Sequence, residues 1–441
     1  MRRSPTVPLP PGARARRVLS APALAALVAA LVAVIAGAAC GGSSNRAPHT
    51  LFFTSSNALY SVAEDGSGLK SLAAVSEATP QPAAFSSDGT HLAHPCRPDG
   101  ATDQSQTALC VSRIDGTDAH TITEQQLDPP GALTVAEYGG GDIAWSPDGR
   151  NVAFLVLRVA AAGVVSSGDV YVCDLASGSV RRVDQGAFAE LRESMRWSPD
   201  NRHIAVPTLQ RLGASGVIRI IDIGKIGTTP STHDIGPGQS LADYEWSPDG
   251  SLLAFAGGTA VGTYNVYVVP VGGGTPVLVM QQGFATKVAW SPDSRSLAVT
   301  AGTSSGQSQV FVVAATGGSP VALTPDLYAS DTPAWSPDSQ AIALFAAAAA
   351  APPNRFPDRA LYTVSAAGGT PRKLTGDQQM LLFPLITWAP DGKRVLYTAE
   401  GGPCFEGCPP GPLFAVPRDT SAAPQRITTA DVKVDELLGW R

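Results

Sequence analysis

Beyond its first fifty residues the chain is a succession of short apolar runs cut by turn signals. One unit shows the pattern in full. Between 284 and 324, apolar runs stand at 287–290, 296–299, 310–313 and 321–324. Ser291-Pro292-Asp293-Ser294 separates the first two, a polar loop the next two, and Thr316-Gly317-Gly318 the last two. Runs this short between turn residues predict four antiparallel strands. Residues 335–375 repeat the order, with strands expected at 342–344, 361–364 and 373–375 and a turn at Gly368-Gly369.

The unit recurs along the whole chain. Tryptophan occurs only at its start, at 145, 197, 246, 290, 335, 388 and 440, in steps of 52, 49, 44, 45, 53 and 52. Phe85-Ser86-Ser87-Asp88-Gly89 has the same form, 60 residues before Trp145. Strand-built repeats of about 40–50 residues predict the blades of a propeller. Proline presets the tight turn after the tryptophans at 145, 197, 246, 290, 335 and 388. The turn's fourth position is Gly89, Gly149, Gly250, Gly392 or Asn201, residues that tolerate a left-handed backbone; Ser294 and Ser339 fit that position less well. One bulky ring per blade is expected to fill the wedge between neighbouring sheets, so the motif reads as core and turn chemistry.

The ends of the chain predict how the ring closes. Residues 435–440 form a first strand with no blade after it; 51–53, 59–62 and 69–72 form strands two to four with no first strand. Joined, they complete a shared blade and leave no open edge. Seven units from Phe85 plus this one give an all-β propeller of eight blades, with seven the alternative if 85–145 is irregular. A single domain is expected over 50–441.

Trp-Ser-Pro-Asp-Gly, an aliphatic-Ala-Phe strand, a Gly-Gly turn and a closing Leu-Thr resemble the repeats of TolB-type β-propellers, over roughly 50–440. The resemblance implies the fold and leaves the ligand open. TolB itself carries an α/β domain before its propeller, whereas here the repeats begin within a dozen residues of Cys40. Related repeats are fused to serine peptidases and occur in some polysaccharide lyases; the repeats here use up the chain.

Residues 1–39 are a different material. Arg2, Arg3, Arg14, Arg16 and Arg17, with no acid among them, precede the apolar run 18–39, as in an export signal or a membrane segment. Gly37-Ala38-Ala39-Cys40 followed by Gly41-Gly42-Ser43-Ser44 resembles the lipobox of bacterial lipoproteins, which implies lipidation at Cys40 and a tether over 40–49. An uncleaved helix or plain secretion is the alternative. The expected location is the extracytoplasmic side of a bacterial membrane.

The net charge is −6, or 26 − 37 = −11 without those five arginines. An acidic exported chain lacks the basic footprint that nucleic acid requires. Cys96 with Cys110, and Cys404 with Cys408, read as local disulfides of an oxidising compartment, and Cys173 as a buried free thiol. Three or four residues before the tryptophans stand Asp142, Glu193, Asp243, Lys287, Asp331 and Glu436. Gathered at the channel mouth they would bind a cationic segment or a divalent cation such as calcium; otherwise they are solvated strand ends. Long connections at 97–107, 124–141, 158–168, 346–359 and 400–411 fall on the opposite face from the Ser-Pro-Asp turns.

No catalytic constellation emerges. Gly302-Thr303-Ser304-Ser305-Gly306 matches a nucleophile elbow but lies in a loop between strands, not on a strand-to-helix turn. The expectation is therefore a tethered, single-copy binding module for a protein or envelope polymer, without a required cofactor. A lyase-like or metal-dependent enzyme using the acidic mouth is the alternative.

Overall fold

The computed structural model describes residues 49–440 apart from the connections 56–57, 75–83, 97–107, 124–125, 128–142, 160–164, 188–194, 210–215, 225–230, 235–239, 261–262, 282–284, 303–307, 330–331, 349–358, 378–384 and 400–410 and a few single positions, chiefly near the C-terminus. Residues 1–48 lie outside the described residues.

Eight antiparallel sheets form the ring. Blades 1 to 7 span 84–122, 143–187, 196–234, 240–280, 285–322, 327–373 and 386–426. In blade 4, Ser240–Trp246, Leu252–Ala260, Thr263–Pro270 and Val277–Met280 follow one another from the innermost strand outward. The eighth blade joins Glu436–Trp440 to Thr50–Ser55, with Leu51 opposite Trp440 and Thr54 opposite Glu436. The tail therefore supplies the head with its inner strand, as the sequence predicts. The 85–145 unit is a regular blade, which decides eight over seven.

Two connections are shorter than their sequence suggests. Strands Asn151–Val159 and Val165–Asp174 extend into 158–168. Strand Ala341–Ala348 takes in the first half of the alanine run, because a split inner strand lies alongside it: Leu327–Ala329 pairs with its far end and Ala334–Trp335 with its start. Alanine's small side chain lets that segment pack flat, and Ala346 and Ala347 are fully buried.

Each described tryptophan packs on the blade before its own. Trp290 sits among Ala254, Ala256, Val266 and Val268 of blade 4, and Trp388 among Ala343, Phe345 and Leu361 of blade 6. The indole N–H does a second job. Trp145, Trp197, Trp246, Trp290, Trp335 and Trp388 donate to the carbonyls of Ala84, Ala144, Arg196, Glu245, Ala289 and Ala334, each at 2.9–3.0 Å. Every acceptor is the residue just before the corresponding aromatic one blade earlier. Each of these carbonyls faces the second strand of its own blade, where Ala93, Ala153, Ala205, Ala254, Ala298 or Ala343 stands opposite, so the indole N–H adds a bond from the neighbouring blade. The ring thus supplies volume and a latch together, which phenylalanine could not.

Phe85 has no N–H to give, and the seam between the closing blade and blade 1 is made differently. There the Phe52 ring lies over Gly89, where a Cβ would come within 2.4 Å of Phe52 Cδ1 and where φ is +63°. Only glycine meets both conditions.

The Ser-Pro-Asp turns are closed by their own side chains. Ser247 Oγ donates to Asp249 Oδ1 at 2.6 Å and accepts from Leu252 N–H at 2.9 Å, and the same pair of bonds forms at Ser146, Ser291 and Ser336. The Ser247 hydroxyl and the Ser251 N–H hold the Asp249 carboxyl below its ordinary value. Asn201, Ser294 and Ser339 adopt the left-handed backbone that glycine supplies elsewhere, with φ of 61°, 59° and 59°. Their side chains accept the turn N–H of Asp148, Asp249 and Asp293 of the preceding blade at 3.0–3.1 Å. The strain of a left-handed Ser or Asn, of order 1 kcal/mol, is offset by one inter-blade hydrogen bond of similar worth.

Candidate functional site

The six residues expected at the channel mouth stand differently in the structure. Asp142, Glu193 and Asp331 lie outside the described residues, and Glu436 is placed only as a strand position opposite Thr54. Asp243 and Lys287 are described. Asp243 is buried, and both its oxygens are engaged: Oδ2 accepts Val288 N–H at 3.1 Å and Oδ1 lies 3.5 Å from Arg196 Nη2. A hard cation needs six or more oxygens free to turn toward it, and a carboxylate already facing a guanidinium does not fit that demand. Among the described residues no group of three or more His, Cys, Asp or Glu side chains could hold a metal ion.

What the structure assembles instead is a mixed-charge cluster on the innermost strands of blades 3, 4 and 5. Arg196 and Glu245 occupy the position just before the tryptophan, and Asp243 lies two residues before Glu245. Alternation along Ser240–Trp246 sends Tyr244 and Trp246 into the core with blade 3 and turns Asp243 and Glu245 toward blade 5. There Glu245 Oε2 accepts Trp290 N–H at 2.8 Å. Val288 and Trp290 share one side of their strand, so the two carboxylates cap consecutive N–H groups on its axial edge. Arg196 makes the complementary bond: it donates to the Tyr244 carbonyl on blade 4's inner strand, and its guanidinium stacks over the Tyr244 ring at 4.6 Å.

Arg196 and Glu245 were legible in the sequence once the repeats are aligned on their aromatics. The position before each aromatic is Ala84, Ala144, Ala289, Ala334, Thr387 or Gly439 in the other blades. A charge there in two successive blades breaks the rule of small residues, but a search three or four positions back passes over it.

Burial pushes the Glu245 carboxyl up to about 7; Asp243 adds to the rise, while the Trp290 N–H and Arg196 oppose it. An acid raised in this way favours the folded chain most below its ordinary 4.5 and gives up that advantage as pH climbs to about 7. Glu245→Gln keeps an acceptor for Trp290 N–H and carries no charge. Its unfolding free energy should match wild type near pH 4.5 and exceed it by on the order of 2–3 kcal/mol above pH 7. Denaturant melts across that window check it; equal stability at pH 8 would remove the account.

A second charged pair lies between the outer parts of blades 2 and 3. Arg219 Nη2 donates to the buried Asp184 Oδ1 at 2.6 Å, and burial raises the Asp184 carboxyl against the pull of Arg219. It joins one blade to the next.

The cysteines divide as predicted where they are described. Cys96 and Cys110 form a disulfide with Cα atoms 5.7 Å apart, and Cys173 is a buried free thiol whose burial lifts it to about 11. Cys40, Cys404 and Cys408 lie outside the described residues. Among the described residues no helix is long and apolar enough to cross a membrane.

Comparison with known proteins agrees with this geometry. Residues 194–351 match the family described as TolB beta propeller domain. The chain forms a TolB-like β-propeller. A eukaryotic initiation factor superposes with a TM-score of 0.50 at 14% identity, covering 89% of this chain and 98% of that one. A putative TolB from Agrobacterium tumefaciens is 22% identical, with a TM-score of 0.36 over 57% of this chain and 86% of its own. Dipeptidyl-peptidase 5 of Porphyromonas gingivalis is 26% identical over 121 residues, 26% of this chain and only 17% of that enzyme's length. At these identities the likeness is one of fold.

Proposed function

We propose that this TolB-like propeller is a binding module held on the extracytoplasmic side of a bacterial membrane through Cys40, and that it engages a protein segment or envelope polymer at the axial edge of blades 3 to 5. The observation that carries the reading is the Arg196–Asp243–Glu245 cluster. Two charges stand on the inner strands where the other blades place small residues, and Lys287 follows on the next blade, partly exposed. Signs that alternate from blade to blade suit a polar chain offering donors and acceptors in turn better than a lone cation.

The Cys96–Cys110 bridge supports an oxidising compartment, and the basic, apolar and small-residue sequence before Cys40 supports a lipid tether. Two experiments test the parts separately. Cys40→Ala should move the chain from the membrane fraction to the soluble one; full retention in the membrane would overturn the lipid tether. Affinity capture from native envelopes should enrich a component with wild type and lose it with Arg196→Gln/Glu245→Gln, whose cooperative thermal unfolding shows that the variant is folded. The same components with both, or none above a blank, would refute the binding site.

A further inference from the structure

The outermost strand of a propeller blade leaves one row of N–H and C=O groups unpaired, and soluble chains guard such edges with charge. Six blades here follow that rule. Their outer strands carry Lys70, His120, Arg181 with Arg182, His233 with Asp234, Arg372 with Lys373, and Arg426. Blades 4 and 5 break it. Their outer strands, Val277–Met280 and Val321–Ala322, hold no ionisable residue.

The repeat makes the contrast position by position. Val277, Val321, Arg372 and Gln425 stand opposite Val268, Val312, Thr363 and Ala415 in successive blades. Leu278, Ala322, Lys373 and Arg426 stand opposite Tyr267, Phe311, Tyr362 and Phe414. Where blades 6 and 7 turn basic side chains to solvent, blades 4 and 5 turn aliphatic ones. Val277, Leu278 and Val321 are 50%, 45% and 41% exposed, and they are the exposed large hydrophobic residues among those described. All three fall on this one sector.

A second observation is independent of exposure. Residues 250–286 contain no Asp, Glu, Lys, Arg or His, nor do residues 296–325, in a chain that is 15% charged. Blades 4 and 5 thus form a nearly uncharged sector of an acidic ring.

We infer that the outer edges of blades 4 and 5 are the surface through which two copies of this chain associate about a twofold axis. A chain of net charge −6 repels its copy wherever charge meets like charge, and the sector that lacks charge is where two copies approach without that cost. A twofold contact brings the same patch of each copy together, and an uncharged apolar edge is complementary to itself. A charged partner would lose hydration there and find no counter-charge. The patch is small, so the association is reversible and depends on concentration. It departs from the single copy expected from the sequence, and it needs neither the tether nor the Arg196–Glu245 cluster.

The test uses the full chain in mild detergent. Sedimentation velocity over a wide concentration range should show a monomer–dimer equilibrium. Val277→Arg/Leu278→Lys places in blade 4 the pair that blade 6 carries at the same positions, so the fold tolerates it. It should weaken the dimer at least about tenfold, or about 1.4 kcal/mol. Leu278→Cys should give a disulfide-linked dimer on oxidation. A monomer at every concentration, or a dimer that the Arg/Lys variant leaves unchanged, would overturn the inference. A thermal midpoint equal to wild type shows that the variant has folded.

Discussion

Trp290→Ala should lower the unfolding free energy by about 3–5 kcal/mol, and Trp290→Phe by about 1–3 kcal/mol. The first removes the ring that packs among Ala254, Ala256, Val266 and Val268, leaving a cavity between two sheets that cannot close on each other. The second keeps most of the volume and removes only the N–H, and with it the inter-blade bond to the Glu245 carbonyl. The difference between the two variants isolates the latch from the filler. Denaturant titration of both checks this, at a pH well below 7 where Glu245 is protonated in the folded chain. If phenylalanine proved as stable as tryptophan, the hydrogen bond would have no part in fixing the residue type, and six blades would share it without a physical reason.

Ending the chain at residue 434 should be more damaging still. It removes Glu436–Trp440 and strips Leu51–Thr54 of its strand partner. The closing blade is then a three-stranded sheet with an open inner edge, and the ring has two free ends. At about 1 kcal/mol per lost ladder bond plus the packing of Leu437 against the Leu51–Phe53 core, the cost is roughly 4–8 kcal/mol, comparable with the 5–15 kcal/mol that holds an ordinary domain together. The shortened chain should melt far lower and form aggregates through the exposed edge, seen as early elution on a sizing column. A shortened chain that elutes and melts as wild type does would show that the ring closes by some other contact.

Much of the molecule was readable from its residues because its fold is set by local and repeated chemistry. A Ser-Pro-Asp turn folds by its own side chains, an apolar run between two turns has few alternatives to a strand, and repetition at a steady spacing turns a local pattern into an architecture. Even the ring closure could be read, since an unmatched strand at one end and a blade lacking one at the other leave a single economical pairing. The Cys96–Cys110 bridge followed for the same reason: fourteen residues apart on neighbouring strands, the two thiols had little distance to cover.

What the sequence could not determine depends on which blade lies beside which, and on the direction each side chain takes at the inner edge. Asp243 looked like a solvated acid at a mouth; alternation along its strand carries it under Arg196 and onto Val288 N–H of the next blade. The N–H of each tryptophan has a partner only because the preceding blade places one carbonyl beside it. Ser294 and Ser339 are poor turn residues when a turn is considered alone and good ones once the neighbouring turn offers an N–H to accept. The aliphatic edge of blades 4 and 5 gains meaning only when the ring sets it beside six charged ones. Contacts within a blade span a few residues and leave a trace in the local pattern; contacts between blades join residues about 45–60 apart, and only the closed ring fixes their partners.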